Sequence, residues 1–446
     1  MNKPSHVIKR SGAIVPFNKD RITNAIYRAA VSVGGRDRDR ADFLAGQVVK
    51  ILEKRCSEGH TPHIEEIQDI VEEVLIENGH AQVAKEYILY REEQARKRHE
   101  QAERASRPSG NIPWAKIWHI LNWAVSHNLH TIDALNERIR RGEFPHIVHE
   151  SEAAYEDDVR WAAEMIAQRS NKLKMVIISG PSSSGKTTTT IKLERHLARN
   201  GFKFVAFHVD NYFFDLEIHP KDEFGDYDFE TPQALDLELI SEHLQRLIQG
   251  EEVLIPYYDF KTGKRNLNQS PMKLEKKEIL LIDSLHGLFP KMTKGIPDEV
   301  KFKLYLEPLL QMKGPDERYI RWTDLRLIRR MLRDSTHRAY DPQKTLEHWH
   351  YVRASELRYI IPHINTTDYI INSGMPYEIP LYRPKLLDQF AQWKEKYLDD
   401  PLREDASIRA TRLHALLQAV EPMDDDSPIP SDSVLREFIG GSSLQY

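Results

Sequence analysis

The sequence has almost no cysteine: Cys56 is the only thiol among 446 residues. One cysteine cannot close an intramolecular disulfide or supply a multi-cysteine metal site, and such sparse use suits a reducing compartment, so a cytoplasmic location is expected. Long apolar runs are missing as well. No uncharged stretch approaches the ~20 residues that cross a bilayer, and the opening MNKPSHVIKRSGAIVPF lacks the continuous apolar core of a signal peptide, so no membrane association is expected. Nor is there an excess of positive charge. Lys and Arg number 63 against 68 Asp and Glu, a net charge of −5, and no basic patch is evident. No nucleic-acid partner is expected.

What is present is an ordinary folding composition, 40% hydrophobic and 29% charged, in a chain long enough for two or three cores. HVIKRSGAIVPF predicts two short strands about a turn at Ser11 and Gly12. Asn18 or Asp20 is placed to cap a helix carrying Ile22, Ile26 and Ala29. A second helical face carries Ile64, Ile67, Val71, Val74 and Leu75 and ends at Gly79. A third, increasingly polar helix runs into RPSGNIP, where Pro and Gly predict a boundary near residue 105. The expected domains are 1–104, a helical linker at 105–171, an α/β domain at 172–385, and a helical extension at 386–446 whose acidic, proline-bearing MDDDSPIPSDS predicts a mobile tail. His146 and His149 lie close in sequence, but without further placed ligands they are assigned no metal.

After residue 172 short apolar runs, MVII, FVAFHV, ILLID and KLYL, alternate with helical stretches. That is the pattern of an α/β domain, a parallel sheet with helices on both faces. The segment GPSSSGKT completes GxxxxGK[ST] with Gly180, Gly185, Lys186 and Thr187. Glycines let the backbone curl around phosphates, N–H groups at the helix start point inward, lysine reaches the phosphates and the hydroxyl serves magnesium. Ser183, Ser184 and Thr188 complete the expected nucleotide-binding set. Asp283, at the end of the apolar strand ILLID, is the expected second magnesium residue. Asp210 in HVDNYFFD follows another strand, where a carboxylate can take a hydroxyl proton or help orient magnesium, although Asp-Asn after a strand is by itself also a turn signal.

A phosphate loop alone does not separate a switch, a motor and a kinase. The guanine-reading NKxD is absent, since Arg21 stands at its aspartate position in the one near match, and so is a transporter-type LSGGQ. The order GPSSSGKT, HVDNYFFD, GDYDFETPQALD, IPYYDFKTGKR, LIDSLHGL, DLRLIRRMLRDSTHR and NSGMPYE resembles the uridine kinase and phosphoribulokinase family over roughly residues 172 to 380.

The resemblance implies the P-loop NTPase fold, ATP and Mg2+ as cofactors, and a set of roles. Asp210 matches the catalytic aspartate, and Asp283 stands in place of the usual metal-linked glutamate. Phe229 packs a nucleoside and Glu230 binds ribose hydroxyls, while Tyr258, Phe260 and Arg265 contact the acceptor. In DLRLIRRMLRD, Arg326, Arg329, Arg330 and Arg333 fall at i, i+3, i+4 and i+7 and form one helical stripe. The resemblance makes this a lid, with Arg326 and Arg333 on the nucleotide and Arg330 shared with acceptor and catalysis. One departure concerns the base: its reading histidine corresponds to Gly263, and Tyr340 and His348 replace the usual arginine and glutamine.

VIKRSGAIVPFNKDRI and HIEEIQDIVEEVLIENGHAQVAKEYILYRE resemble the ATP-cone of ribonucleotide reductases. Lys9, Arg10 and Arg21 become candidate phosphate contacts for ATP or dATP, acting as an effector on a homo-oligomer. The combined expectation is an ATP-dependent kinase acting on a small-molecule hydroxyl, foremost the 5′-hydroxyl of a uridine- or cytidine-like ribonucleoside. A sugar-phosphate kinase, or a nucleotide-responsive regulator of a protein partner, remains as an alternative.

Overall fold

The computed structural model describes residues 4–8, 14–55, 61–92, 112–220, 227–275, 277–337 and 341–445. It divides into two units, Met1–Ser109 with Tyr397–Glu404, and Gly110–Lys396 with Asp405–Tyr446.

In the first unit β1 (His6–Ile8) and β2 (Ile14–Pro16) pair antiparallel with Val7 opposite Val15. The expected turn at Ser11 and Gly12 lies outside the described residues, as does the boundary expected near 105. Asn18 is the cap: its side chain accepts the Asp20 N–H at 2.7 Å and starts α1 (Lys19–Ser32). Then come α2 (Arg38–Arg55), α3 (Ile64–Glu77) and a helical stretch at 81–92. Gly79 takes a φ of 79°, the left-handed conformation that lets α3 stop without a Cβ clash. Ile22 and Ile26 of α1, Leu44, Val48 and Leu52 of α2, and Ile70, Val71 and Val74 of α3 share one core. The three helices close on one another because each spaces its apolar residues by three or four.

The second unit begins with α4 (Trp114–Ser126), α5 (Ile132–Arg140) and α6 (Phe144–Gln168). These were expected as a linker at 105–171, but α6 is a layer of the α/β unit itself. Its Tyr155 hydroxyl meets Thr189 Oγ1 at 2.7 Å, and its Asp158 accepts hydrogen bonds from Tyr369 Oη and the Asn372 N–H at 3.0 Å each. Val159, Ala162, Ala163 and Ile166, the apolar face read from the sequence, are all buried.

The chain then forms β3 (Met175–Ser179), α7 (Lys186–Arg199), β4 (Lys203–Ala206), α8 (Leu237–Ile248), β5 (Val253–Asp259), β6 (Lys264–Met272), β7 (Glu278–Ser284) and β8 (Lys301–Glu307). It continues through α9 (Trp322–His337), α10 (Pro342–Tyr359), β9 (Tyr369–Asn372), α11 (Glu378–Lys396), α12 (Glu404–Ala419) and α13 (Arg436–Ile439). Five strands make a parallel sheet in the order β4-β7-β3-β8-β9, and β5 and β6 pair separately as an antiparallel hairpin. All five residues of β3 are buried, so both faces of the sheet are covered at its centre. This is the expected P-loop fold. Its register sets Ile178 beside Asp283 and Ser179 beside Ser284, so the loop leaving β3 and the carboxylate ending β7 emerge at one edge.

The carboxyl-terminal stretch is not the mobile tail that its acidity suggested. Ile429, Val434, Leu435 and Phe438 are buried, and the Arg436 guanidinium donates to the carbonyls of Asp426 at 2.8 Å and Ile429 at 3.0 Å. Apolar anchors every few residues outweigh the solvation of the intervening acids.

Candidate active site at the phosphate loop

The loop between β3 and α7 is shaped by its glycines. A Cβ on Gly180 would run into the Leu306 carbonyl of neighbouring β8, and Gly185 caps α7 with φ of 89°. Lys186 folds back to donate to the Pro181 carbonyl at 3.2 Å. The Ser183 and Ser184 hydroxyl oxygens are buried without a hydrogen-bond partner, which suits a loop whose polar groups are arranged for a ligand.

Around this loop lies a cleft of about 740 Å³ that brings together Lys186, Thr187, Asp210, Asp283, Glu230 and Arg330. Ser183, Gly185, Phe229, Phe260 and Arg333 also line it. Asp210 is held by a single 3-10 turn after β4, Val209–Tyr212. Tyr212 anchors that turn, with its ring stacked on Phe207 at 5.2 Å and its hydroxyl 2.8 Å from His243 Nδ1. The next residue, Phe213, is central to an aromatic wall, 5.3 Å from the Phe229 ring and 6.1 Å from the Phe260 ring.

The charges in the cleft sense one another. Burial lowers the pKa of the Lys186 ammonium, against the pull of Asp283 and Glu437. Burial pushes the Asp283 carboxyl up to about 6, with Lys186 opposing and Glu437 and Asp210 adding to the rise. For Glu230 burial acts upward, but Arg330, donating to Oε1 at 2.6 Å, leaves its pKa below the usual value.

Several expected site residues are elsewhere. Arg326 is fully buried, donates to Glu356 Oε2 at 2.8 Å and faces Glu307 at 3.4 Å. It reaches the phosphate loop only from beneath, by donating to the Ser182 carbonyl at 3.1 Å. Arg329 is likewise buried, donating to Glu378 at 2.7 Å and the Ser373 carbonyl at 2.6 Å. The arginine stripe is therefore divided: a helix packed on more than one side buries Arg326 and Arg329 with acids and leaves Arg330 and Arg333 to the cleft. Tyr258 lies under the aromatic wall, 2% exposed, and Arg265 is held by Asp236 at 2.9 Å; neither lines the cleft. Gly180 and Ser184 shape the loop without forming the cleft wall, and Thr188 meets the cleft through Glu437, which accepts both its N–H and its hydroxyl.

Gly263 has φ of 66°, and Leu216 occupies the space that a side chain there would need. His348 sits edge-on to Tyr351 at 6.3 Å, away from the cleft, and Tyr340 lies outside the described residues. In the first unit Arg21 is exposed, whereas Lys9 and Arg10 lie outside the described residues.

Among the lining residues that the sequence did not single out, Phe213, His286 and Glu437 bear most on the site. Phe213 and His286 belonged to quoted motifs, HVDNYFFD and LIDSLHGL, and could have been found by following those loops past their carboxylates. Glu437 sits over 240 residues downstream of the loop and carried no local signal. His286 is 3% exposed, and burial lowers its pKa to about 4 against the opposing pull of Glu230, so the ring is neutral at ordinary pH.

Residues 175–379 match the Phosphoribulokinase / Uridine kinase family and residues 5–96 match the ATP cone domain. A uridine kinase of Bacillus pumilus (strain SAFR-032) is 27% identical over 205 residues, which cover 46% of this chain and 88% of that one. A vitamin B12-dependent ribonucleoside-diphosphate reductase of Thermoplasma acidophilum is 45% identical over 91 residues, 19% of this chain and 11% of that one. The solved structure of a possible uridine kinase from Bacillus stearothermophilus aligns at a TM-score of 0.28 with 21% identity, covering 38% of this chain and 90% of that one. The chain thus joins an ATP cone domain to a kinase domain of the phosphoribulokinase and uridine kinase family.

Proposed function

We propose that this kinase transfers the γ-phosphate of ATP to the 5′-hydroxyl of a ribonucleoside. The observation that carries the reading is the convergence of Lys186, Asp283, Asp210 and the Glu230–Arg330 pair on one cleft at the carboxyl edge of the sheet. Lys186 and the loop amides hold the phosphates, and Arg330 and Arg333 face the charge that develops on the transferred group. Asp210, at the end of its pinned turn, accepts the proton of the attacking hydroxyl. Thr187, Asp283 and Asp210 offer the oxygen donors that would hold magnesium, whose contribution is to neutralise charge on the phosphates.

The acceptor side follows from the same wall. Phe213, Phe229 and Phe260 give a planar base an aromatic surface, and a Glu230 carboxylate kept ionised by Arg330 can accept hydrogen bonds from two vicinal hydroxyls. One observation favours a second reading, a sugar phosphate or another small hydroxyl compound: the position matching the base-reading histidine is a glycine closed off by Leu216. ATP or dATP at the cone regulates the kinase through assembly of a homo-oligomer in this proposal. The deciding experiment incubates the full chain with ATP and magnesium against nucleosides and sugar phosphates and weighs the phosphorylated product. Phosphorylated uridine or cytidine is expected; product from sugar phosphates alone selects the second reading. ADP release with no acceptor modified rejects both.

A further inference from the structure

The first turn of α7 already has an anion on it, and the anion belongs to this chain. Glu437 Oε2 accepts the Thr188 N–H at 3.3 Å and the Thr188 hydroxyl at 2.8 Å. It also lines the cleft, near enough to Lys186 and Asp283 to act on both charges. N–H groups in the first turn of a helix form the end at which a phosphate is bound, because they lack partners within the helix and carry the positive end of its dipole. A carboxylate there takes the same donors.

Its neighbours seat the segment on the loop. Val434 packs so closely that a Cβ on Gly185 would strike it. Phe438 is fully buried with its ring 5.0 Å from the Arg329 guanidinium. Arg436 ties the backbone to Asp426 and Ile429, and the Ser433 hydroxyl bonds Glu152 while lying 3.2 Å from the Tyr377 hydroxyl.

We propose that residues 433–439 are a strap occupying the nucleotide site in cis, with Glu437 standing where a nucleotide phosphate binds, so that ATP enters only as the strap is displaced. This inference rests on the reading of the phosphate loop as the ATP site. Competition follows from the shared donors: the N–H and hydroxyl of Thr188 cannot serve Glu437 and a phosphate fully at once, and the carboxylate repels the incoming anion.

The test is calorimetric titration of the full chain with ADP and magnesium, comparing the native sequence, Glu437→Gln and Lys186→Ala. Hydrogen exchange at residues 434–439 is followed with and without saturating ADP. Glu437→Gln keeps the shape and removes the charge, so folding is preserved where truncation of Val434, Leu435 and Phe438 would expose a core. The expected result is ADP affinity raised roughly ten-fold or more in Glu437→Gln, with ADP speeding exchange at 434–439 in the native chain. Equal or weaker affinity in Glu437→Gln, or exchange at 434–439 unchanged by ADP, overturns the strap while leaving Lys186-dependent binding intact. Binding that survives Lys186→Ala undiminished removes the nucleotide-site reading and the strap with it.

Discussion

Arg330 donates to Glu230 at 2.6 Å, joining helix α9 to the loop that carries Phe229, and each side chain is about one-fifth exposed. The pair keeps the Glu230 carboxylate ionised, and the same guanidinium also meets Asp334 and the Ser182 hydroxyl at 3.4 Å each. The Ser355 hydroxyl also donates to the Glu230 carbonyl, so this residue is fixed by backbone as well as by side chain.

Glu230→Gln is therefore expected to raise KM for the acceptor roughly 10- to 100-fold, the size of a lost charge-assisted hydrogen bond, with little change in ATP affinity. Steady-state kinetics with each substrate varied in turn check this. Equal effects on both KM values would place Glu230 in the structure of the cleft rather than on the acceptor.

Asp210→Asn should lower kcat by about 10²- to 10⁴-fold while ATP still binds, because the amide keeps the shape and loses the proton acceptor. Nucleotide binding by calorimetry alongside single-turnover rates separates the two effects. A variant with ordinary turnover removes Asp210 from the chemistry.

The divided arginine stripe predicts opposite phenotypes on one helix. Arg329→Ala strands the buried Glu378 and should cost about 3–5 kcal/mol of stability, read as a large loss of melting temperature. Arg333→Ala leaves Asp334 still faced by Arg330 at 3.4 Å, so it should cost clearly less stability than Arg329→Ala and should raise KM for ATP. Denaturant unfolding of both variants is the measurement, and similar losses would contradict the division.

His286 predicts an acid limb of stability. Burial leaves its folded pKa near 4, against an ordinary 6.5, with Glu230 opposing and Lys186 adding to the shift. The unfolded chain then binds more protons between these values, so the contribution is complete above pH 6.5 and is lost as pH falls through about 4. It amounts to about 3 kcal/mol at most. His286→Gln should flatten unfolding free energy against pH in that window, and an unchanged slope would show that the ring is not what titrates.

The local parts of this protein were legible in its sequence. The strands β3, β7 and β8 read as short apolar runs because a strand covered on both faces needs apolar residues throughout, and Gly180, Gly185, Lys186 and Thr187 read as a phosphate loop because few other residue types allow that backbone. Asp210 and Asp283 followed from their positions at strand ends. The hairpin β5–β6 and the short strand β9 were missed: β5 is interrupted at Pro256, where its pairing shifts, β6 is polar almost throughout, and β9 holds four residues.

What each residue does within the shared pattern was decided by the tertiary structure. Arg326 and Arg330 are one helical turn apart in the same motif, yet one lies between Glu356 and Glu307 and the other faces the cleft, since sequence spacing places residues on a helix but not the neighbours that surround it. The acidic, proline-bearing end of the chain looked free by composition. Burial of Val434, Leu435 and Phe438 instead delivers Glu437 to Thr188, a contact across 249 residues that no local pattern encodes. Composition and periodicity report the cost of burying a side chain; where an anion is finally held depends on which helix end the folded chain brings to it.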